Sequence, residues 1–156
     1  FKMPDNYLDY ADSVNQMEKA FSVLDEGKVA CNNDLLAANF IDDGQKIWLI
    51  DYEYSGNNDA CFELGNIYSE SNLSHDQLVE LVDSYYGKHR PEKVARAWLY
   101  ALLARYGWTL WASIQNSVSD IDFNFWDWGM QKYEVAMKDF KSVEFKNALN
   151  TVTQKS

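Results

Sequence analysis

The chain has 156 residues, the length of one domain able to bury a continuous core. Hydrophobic residues make up 47% and aromatic residues 15%, which excludes a disordered segment. A formal charge of −10 argues against nucleic acid, whose affinity rests on Lys and Arg at phosphates. The charge suits a small cationic ligand, although plain acidity explains it equally well.

The first element expected is an amphipathic helix over 7–26, where Leu8, Ala11, Val14, Met17, Phe21 and Leu24 recur at three- and four-residue steps, closed by Gly27. A short strand at 28–31 and the turn-forming loop Asn32-Asn33-Asp34 follow. Strands at 39–41 and 46–51 flank Asp42-Asp43-Gly44-Gln45, whose Asp-Gly pair signals a hairpin. Residues 55–60 read as an irregular loop and 61–69 as a helix. Ser74 is a natural N-cap for a helix to Tyr86, which Gly87 stops. Pro91 fits the first turn of a long helix to about 116, and a last helix covers roughly 124 to 149. Strands are thus confined to 28–51.

Cys31 and Cys61 show no framework spacing, which fits a reducing compartment, and a cytoplasmic location is expected. Nothing approaches the ~20 apolar residues of a membrane span, and the start is not a signal peptide. The sequon Asn72-Leu73-Ser74 has no meaning without secretion. His75 and His89 have no metal-spaced partner and read as solvated.

Asp34, Asn39 and Asp51 are the parts that phosphoryl transfer from a nucleotide needs. One carboxylate takes the substrate hydroxyl proton, while an amide and a second carboxylate hold magnesium. Asp34 alone would read as a turn cap. The three together make it the candidate base, with Asn39 and Asp51 the hard-oxygen ligands of Mg²⁺. Asp51 ends the apolar run Ile47-Trp48-Leu49-Ile50, a poor place for an idle charge. Glu53 shares its side of an extended chain and is placed for a second ion, the alternative being a structural salt bridge.

This spacing resembles the pattern His-x-Asp-x-x-x-x-Asn followed by a hydrophobic-Asp strand, found in the aminoglycoside phosphotransferase and protein-kinase-like superfamily. Ile50-Asp51-Tyr52-Glu53-Tyr54 is similar, more narrowly, to the choline/ethanolamine kinase family. The resemblance runs from about residue 14 to about 140. It implies an α+β, mostly helical fold: the C-terminal, catalytic and acceptor-binding lobe (1–156) of a kinase-like phosphotransferase, with a small catalytic β-hairpin. It also implies ATP and Mg²⁺. No Gly-rich loop or nucleotide-anchoring lysine precedes the motif, so the N-terminal nucleotide-binding lobe is absent from the chain. The expectation is a fragment of a longer protein, inactive alone. Where relatives carry His this chain has Asn32, and Glu63 in Phe62-Glu63-Leu64-Gly65-Asn66 stands where they carry Asp. The resemblance makes both supports of the catalytic loop, the acid bracing it through backbone N–H groups.

Tyr106-Gly107-Trp108-Thr109-Leu110-Trp111 resembles the tryptophan pair of choline kinases, and Trp128 falls where the family has another aromatic. Glu70 aligns with an acid beside that pocket. Trp108 and Trp111 share a helix face, and each aromatic ring holds a quaternary ammonium by ~0.5–2 kcal/mol. Trp98, Tyr100 and Tyr106 are assigned to the core. The function implied is transfer of the ATP γ-phosphate to the hydroxyl of choline or a similar small amino alcohol. One alternative is a kinase for another cation such as thiamine or an aminoglycoside. The other is a kinase-like lobe that has lost catalysis and binds a cationic ligand. Aminosugars call for acid-rich rather than Trp-rich sites, and a decayed site has no reason to keep Asp34, Asn39 and Asp51 together. The oligomeric state stays open.

Overall fold

The computed structural model describes residues 1–23 and 26–154. A 3₁₀ turn, Tyr7–Tyr10, leads into α1 (Ala11–Phe21). Strand β1 (Val29–Cys31) is followed by the 3₁₀ turn Ala37–Asn39, then β2 (Phe40–Asp42), β3 (Ile47–Leu49) and β4 (Gly56–Asn58). Five helices complete the chain: α2 (Ala60–Glu70), α3 (His75–Tyr86), α4 (Pro91–Val118), α5 (Phe125–Phe140) and α6 (Val143–Thr153). The class is the α+β, mostly helical one expected.

Local chemistry sets the helix ends. Asp59 caps α2 by accepting from the Cys61 N–H at 2.8 Å. Ser74 and Gln77 form a reciprocal capping box at the start of α3, and Gly87 closes that helix at φ 69°. Asn124 and Ser142 accept from the Asp127 and Phe145 amides, at 3.0 and 3.1 Å, and so start α5 and α6.

Helix α4 is the axis of the fold. Its Leu99, Leu102 and Tyr106 pack with Tyr133 and Phe140 of α5, Phe145 and Val152 of α6, and Met17 of α1. Toward its N-terminus, Val94 and Ala97 join Cys61 and Leu64 of α2 and Leu78 and Val82 of α3. Two glycines let the helices close. A Cβ on Gly65 would lie 2.3 Å from the Ala97 carbonyl oxygen, and one on Gly129 would lie 2.6 Å from the Ala112 methyl. These close approaches hold α2 and α5 against α4.

The strands form two antiparallel pairs, β1 with β4 (Val29 opposite Asn58) and β2 with β3 (Phe40 opposite Leu49). The hairpin turns through Gly44 at φ 84°, and its tip is fastened by Trp48 Nε1 donating to Asp43 at 2.6 Å.

Several boundaries differ from expectation. The first helix ends at Phe21, not at Gly27, and Leu24 lies outside the described residues. Strand β3 stops at Leu49, because Asp51 adopts a left-handed φ of 61° that an extended strand cannot hold. Residues 56–58, expected as loop, form β4. The final helix is two, α5 and α6, separated by the Ser142 cap. Among the described residues no helix is long and apolar enough to cross a membrane.

Candidate active site

The loop after β1 is built from side-chain amides. Asn32 donates through Nδ2 to the Asp51 carbonyl at 2.6 Å and accepts from the Asp34 N–H through Oδ1 at 2.9 Å. One carboxamide thereby ties the loop to the end of the hairpin. Asn33, at φ 67°, donates to the Tyr54 carbonyl at 3.0 Å and accepts from Asn58 at 2.9 Å. Glu63, on the first turn of α2, receives the Asn32 and Asn33 N–H groups on its two oxygens, at 2.6 and 3.0 Å. Helix α2 thus carries the loop rigidly, and Gly65 fixes α2 on α4.

This frame leaves Asp34 half-buried, with no hydrogen bond or ion pair to its carboxylate among the described residues. Burial raises its pKa, and the charges of Asp51, Glu70 and Glu53 raise it further. All four acids therefore share one field. A carboxylate with raised proton affinity is a better base for a substrate hydroxyl.

Asn39 is buried, and its Nδ2 is committed to the Asp34 carbonyl at 2.9 Å, which leaves Oδ1 without a partner among the described residues. Asp51 and Glu53 are exposed, and neither carboxylate is hydrogen-bonded or ion-paired among those residues. An amide oxygen and unpaired carboxylates make a hard-oxygen set that fits Mg²⁺. No group of three His, Cys, Asp or Glu converges on one point among the described residues. Glu53 sits in a turn rather than on an extended strand, so alternation along a strand does not place it.

Beside Asp34 opens a cavity of about 250 Å³, lined by Asp34 and Glu70 and by the rings of Trp108, Trp111 and Trp128. Helix α4 supplies Trp108 and Trp111, and α5 supplies Trp128 next to Gly129, the residue that lets α5 approach. Trp111 is central: its ring meets Trp108, Phe125 and Trp128 edge-on, at centroid distances of 5.6, 5.7 and 5.8 Å. The close helix crossing is what sets these rings around one space. Trp98 and Tyr100 lie outside this cavity and pack on the core, where Tyr106 is buried.

The profile of the choline/ethanolamine kinases matches residues 2–93, more than half of the chain. The chain belongs to that family. Among relatives, ethanolamine kinase 2 of Mus musculus is 33% identical over 130 residues, 70% of this chain and 34% of that protein. Protein LicA of Haemophilus influenzae is 28% identical over 115 residues, 69% of this chain and 42% of its own length. A solved choline/ethanolamine kinase family protein from Mesorhizobium loti superposes with a TM-score of 0.89 at 28% identity, over 98% of this chain and 52% of that one. Choline kinase LicA from Streptococcus pneumoniae superposes with a TM-score of 0.74 at 26% identity, over 90% of this chain and 50% of that one. The chain therefore spans about a third of the length of the first curated relative and about half of these two solved ones.

Around this family motif the structure adds residues that sequence reasoning missed. Leu36, Tyr54, Phe123 and Phe125 complete the cavity lining. The aromatic run from Phe123 to Trp128 was the available signal for the two phenylalanines. Asn58 and Asn66 brace the loop through Asn33, Asn66 donating to its carbonyl at 3.3 Å. Lys132 pairs with Glu70. Only a folded chain brings these residues together.

Proposed function

We propose that the chain is the catalytic and acceptor-binding lobe of an ATP-dependent kinase that phosphorylates choline or a similar small amino alcohol. A single observation carries the reading: Asp34, the candidate base, lines the same cavity as three tryptophans and Glu70. An alcohol whose ammonium head rests against those rings presents its hydroxyl toward Asp34. Asp34 would accept the hydroxyl proton as that oxygen attacks the γ-phosphorus of ATP, while the bond from that phosphorus to the β–γ bridging oxygen breaks and ADP leaves. Asn32, Asn39 and Glu63 keep Asp34 in position. Asn39 Oδ1 and the Asp51 carboxylate would hold Mg²⁺, which when bound neutralises charge on the transferring phosphoryl group.

The aromatic lining favours an amino alcohol over a polyhydroxylated aminosugar, whose recognition requires many hydrogen-bonding groups. Phosphate clamping calls for a Gly-rich loop and an anchoring lysine, and neither motif precedes Asp34 in these 156 residues, so they are proposed to be inactive alone, and a cytoplasmic site of action is part of the same reading. One steady-state comparison in the intact protein tests the proposal: choline against its neutral isostere 3,3-dimethylbutan-1-ol, with ATP and Mg²⁺. The charged head should lower KM at least about tenfold, since several rings at ~0.5–2 kcal/mol each favour the cation. Equal KM values, or no phosphorylation of either alcohol, overturn the reading.

A further inference from the structure

The Glu70 carboxylate that lines the cavity is already ion-paired. Lys132 Nζ donates to both of its oxygens, at 2.8 and 2.9 Å. The pair is desolvated, with 7% of the Glu70 side chain and 14% of the Lys132 side chain exposed. Lys132 lies one turn beyond Trp128 on α5, and its ammonium rests 4.5 Å from the Trp128 ring centroid. It lines an adjoining cleft rather than the cavity itself. Glu70 and Trp128 form the wall between the two spaces, and Lys132 holds both from behind.

This arrangement bears on which ammonium head the cavity accepts. A primary ammonium carries three N–H donors and, once stripped of water, needs an acceptor for each. A quaternary ammonium has no N–H and is satisfied by aromatic faces. Asp34 and Glu70 are the carboxylates in the lining, and Asp34 is taken by the substrate hydroxyl. We infer that Lys132 determines specificity by position: by taking one lone pair on each Glu70 oxygen and neutralising its charge, it weakens the acceptor that a primary ammonium needs and sets the site for a quaternary head. The inference rests on the kinase reading above. The ligand class is an alkanolamine whose nitrogen is fully methylated, and ethanolamine is the disfavoured analogue.

The test is steady-state kinetics of the intact protein with choline and ethanolamine as alternative acceptors. The unaltered protein should prefer choline at least about tenfold in kcat/KM. Lys132→Met keeps the stem on Trp128 and releases Glu70, so the ethanolamine-to-choline ratio of kcat/KM should rise at least about tenfold, what one charge-assisted hydrogen bond supplies. The gain should fall on the ethanolamine KM. Choline should gain only the weaker long-range attraction of the freed charge. Lys132→Arg keeps a donor pair for both oxygens and should retain the original ratio, while Glu70→Gln in the Lys132→Met background should erase the gain.

Loss of both substrates in parallel, with a lower melting temperature, would mark Lys132 as structural and overturn the inference. An unaltered protein that uses both alcohols equally well overturns it even if the variant does not fold. Failure to phosphorylate either alcohol brings down the kinase reading and this inference together. Turnover with an unmoved ratio brings down this inference alone.

Discussion

Asp34 holds its proton to a higher pH in the fold than it would in the unfolded chain, through burial first and through Asp51, Glu70 and Glu53 next. The sign for stability follows. The carboxyl contributes favourably below its ordinary value of 3.8, and that contribution is lost as pH rises through the higher folded value. At neutral pH the ionised group therefore costs folding free energy. Asp34→Asn should melt at a higher temperature than the unaltered protein at pH 7, with the difference vanishing near pH 3. In the intact protein the same change should lower kcat by about 10²–10⁴ as a general base is lost. A lower melting temperature at pH 7 would show that Asp34 is a structural cap. Asp34, Asn39 and Asp51 stood out in the sequence by their spacing, and the fold brings them together: the Asp51 charge acts on Asp34, and Asn39 holds the Asp34 carbonyl. How Asn32 supports the loop was not legible, since its carboxamide joins two segments nineteen residues apart only after folding. Both cysteines are buried, and burial pushes the Cys61 thiol up to about 11. Cys61 should therefore resist thiol reagents at pH 7 until the chain is denatured.

Helices were readable where the chain punctuates itself. Ser74 with Gln77, Gly87 and Pro91 each mark an end by their own chemistry, and α3 and α4 begin where those residues place them. The break between α5 and α6 was hidden because buried residues continue across it with nearly helical spacing: Tyr133, Met137, Phe140, Phe145, Ala148 and Val152. One extra residue at the junction is the whole difference, and periodicity does not resolve it. Strand β4 was missed because Gly56-Asn57-Asn58 has poor strand propensity and pairs only through β1, far back in sequence. The helical glycines fall into two kinds. Gly65 and Gly129 sit at close approaches, whereas nothing lies within 4 Å of a Cβ on Gly107. Gly107→Ala should therefore stabilise by up to about 1 kcal/mol through helix propensity. Gly65→Ala should destabilise by about 1–3 kcal/mol despite the same propensity gain, because it strikes the α4 backbone. Gly129→Ala meets a methyl instead, so Ala112→Gly in the same chain should restore part of the loss. Denaturant melts of the four variants check the set, and equal effects at all three glycines would refute the distinction.

On the scale of the molecule, the cavity and the hairpin differ in exposure. The cavity beside Asp34 is walled by rings that α4 and α5 hold in place. The hairpin side is exposed: Asp51 and Glu53 face solvent, and Ile41, Ile47, Trp48, Ile50 and Tyr52 expose apolar surface on and beside the hairpin. Phosphoryl transfer draws on electrostatic stabilisation in a water-excluded site, which the exposed Asp51 and Glu53 do not form by themselves. The 156 residues alone should accordingly bind choline and not phosphorylate it. Three rings at ~0.5–2 kcal/mol each give a Kd on the order of 1 mM. The cavity holds three of the six tryptophans, so quenching of their emission reports binding directly. Circular dichroism of the same sample shows whether the helices are formed. Saturable quenching by choline with no ATP-dependent product is the expected result. Turnover at ordinary enzyme rates would show that these residues clamp the nucleotide unaided. A folded chain that choline does not quench would place part of the acceptor site outside them.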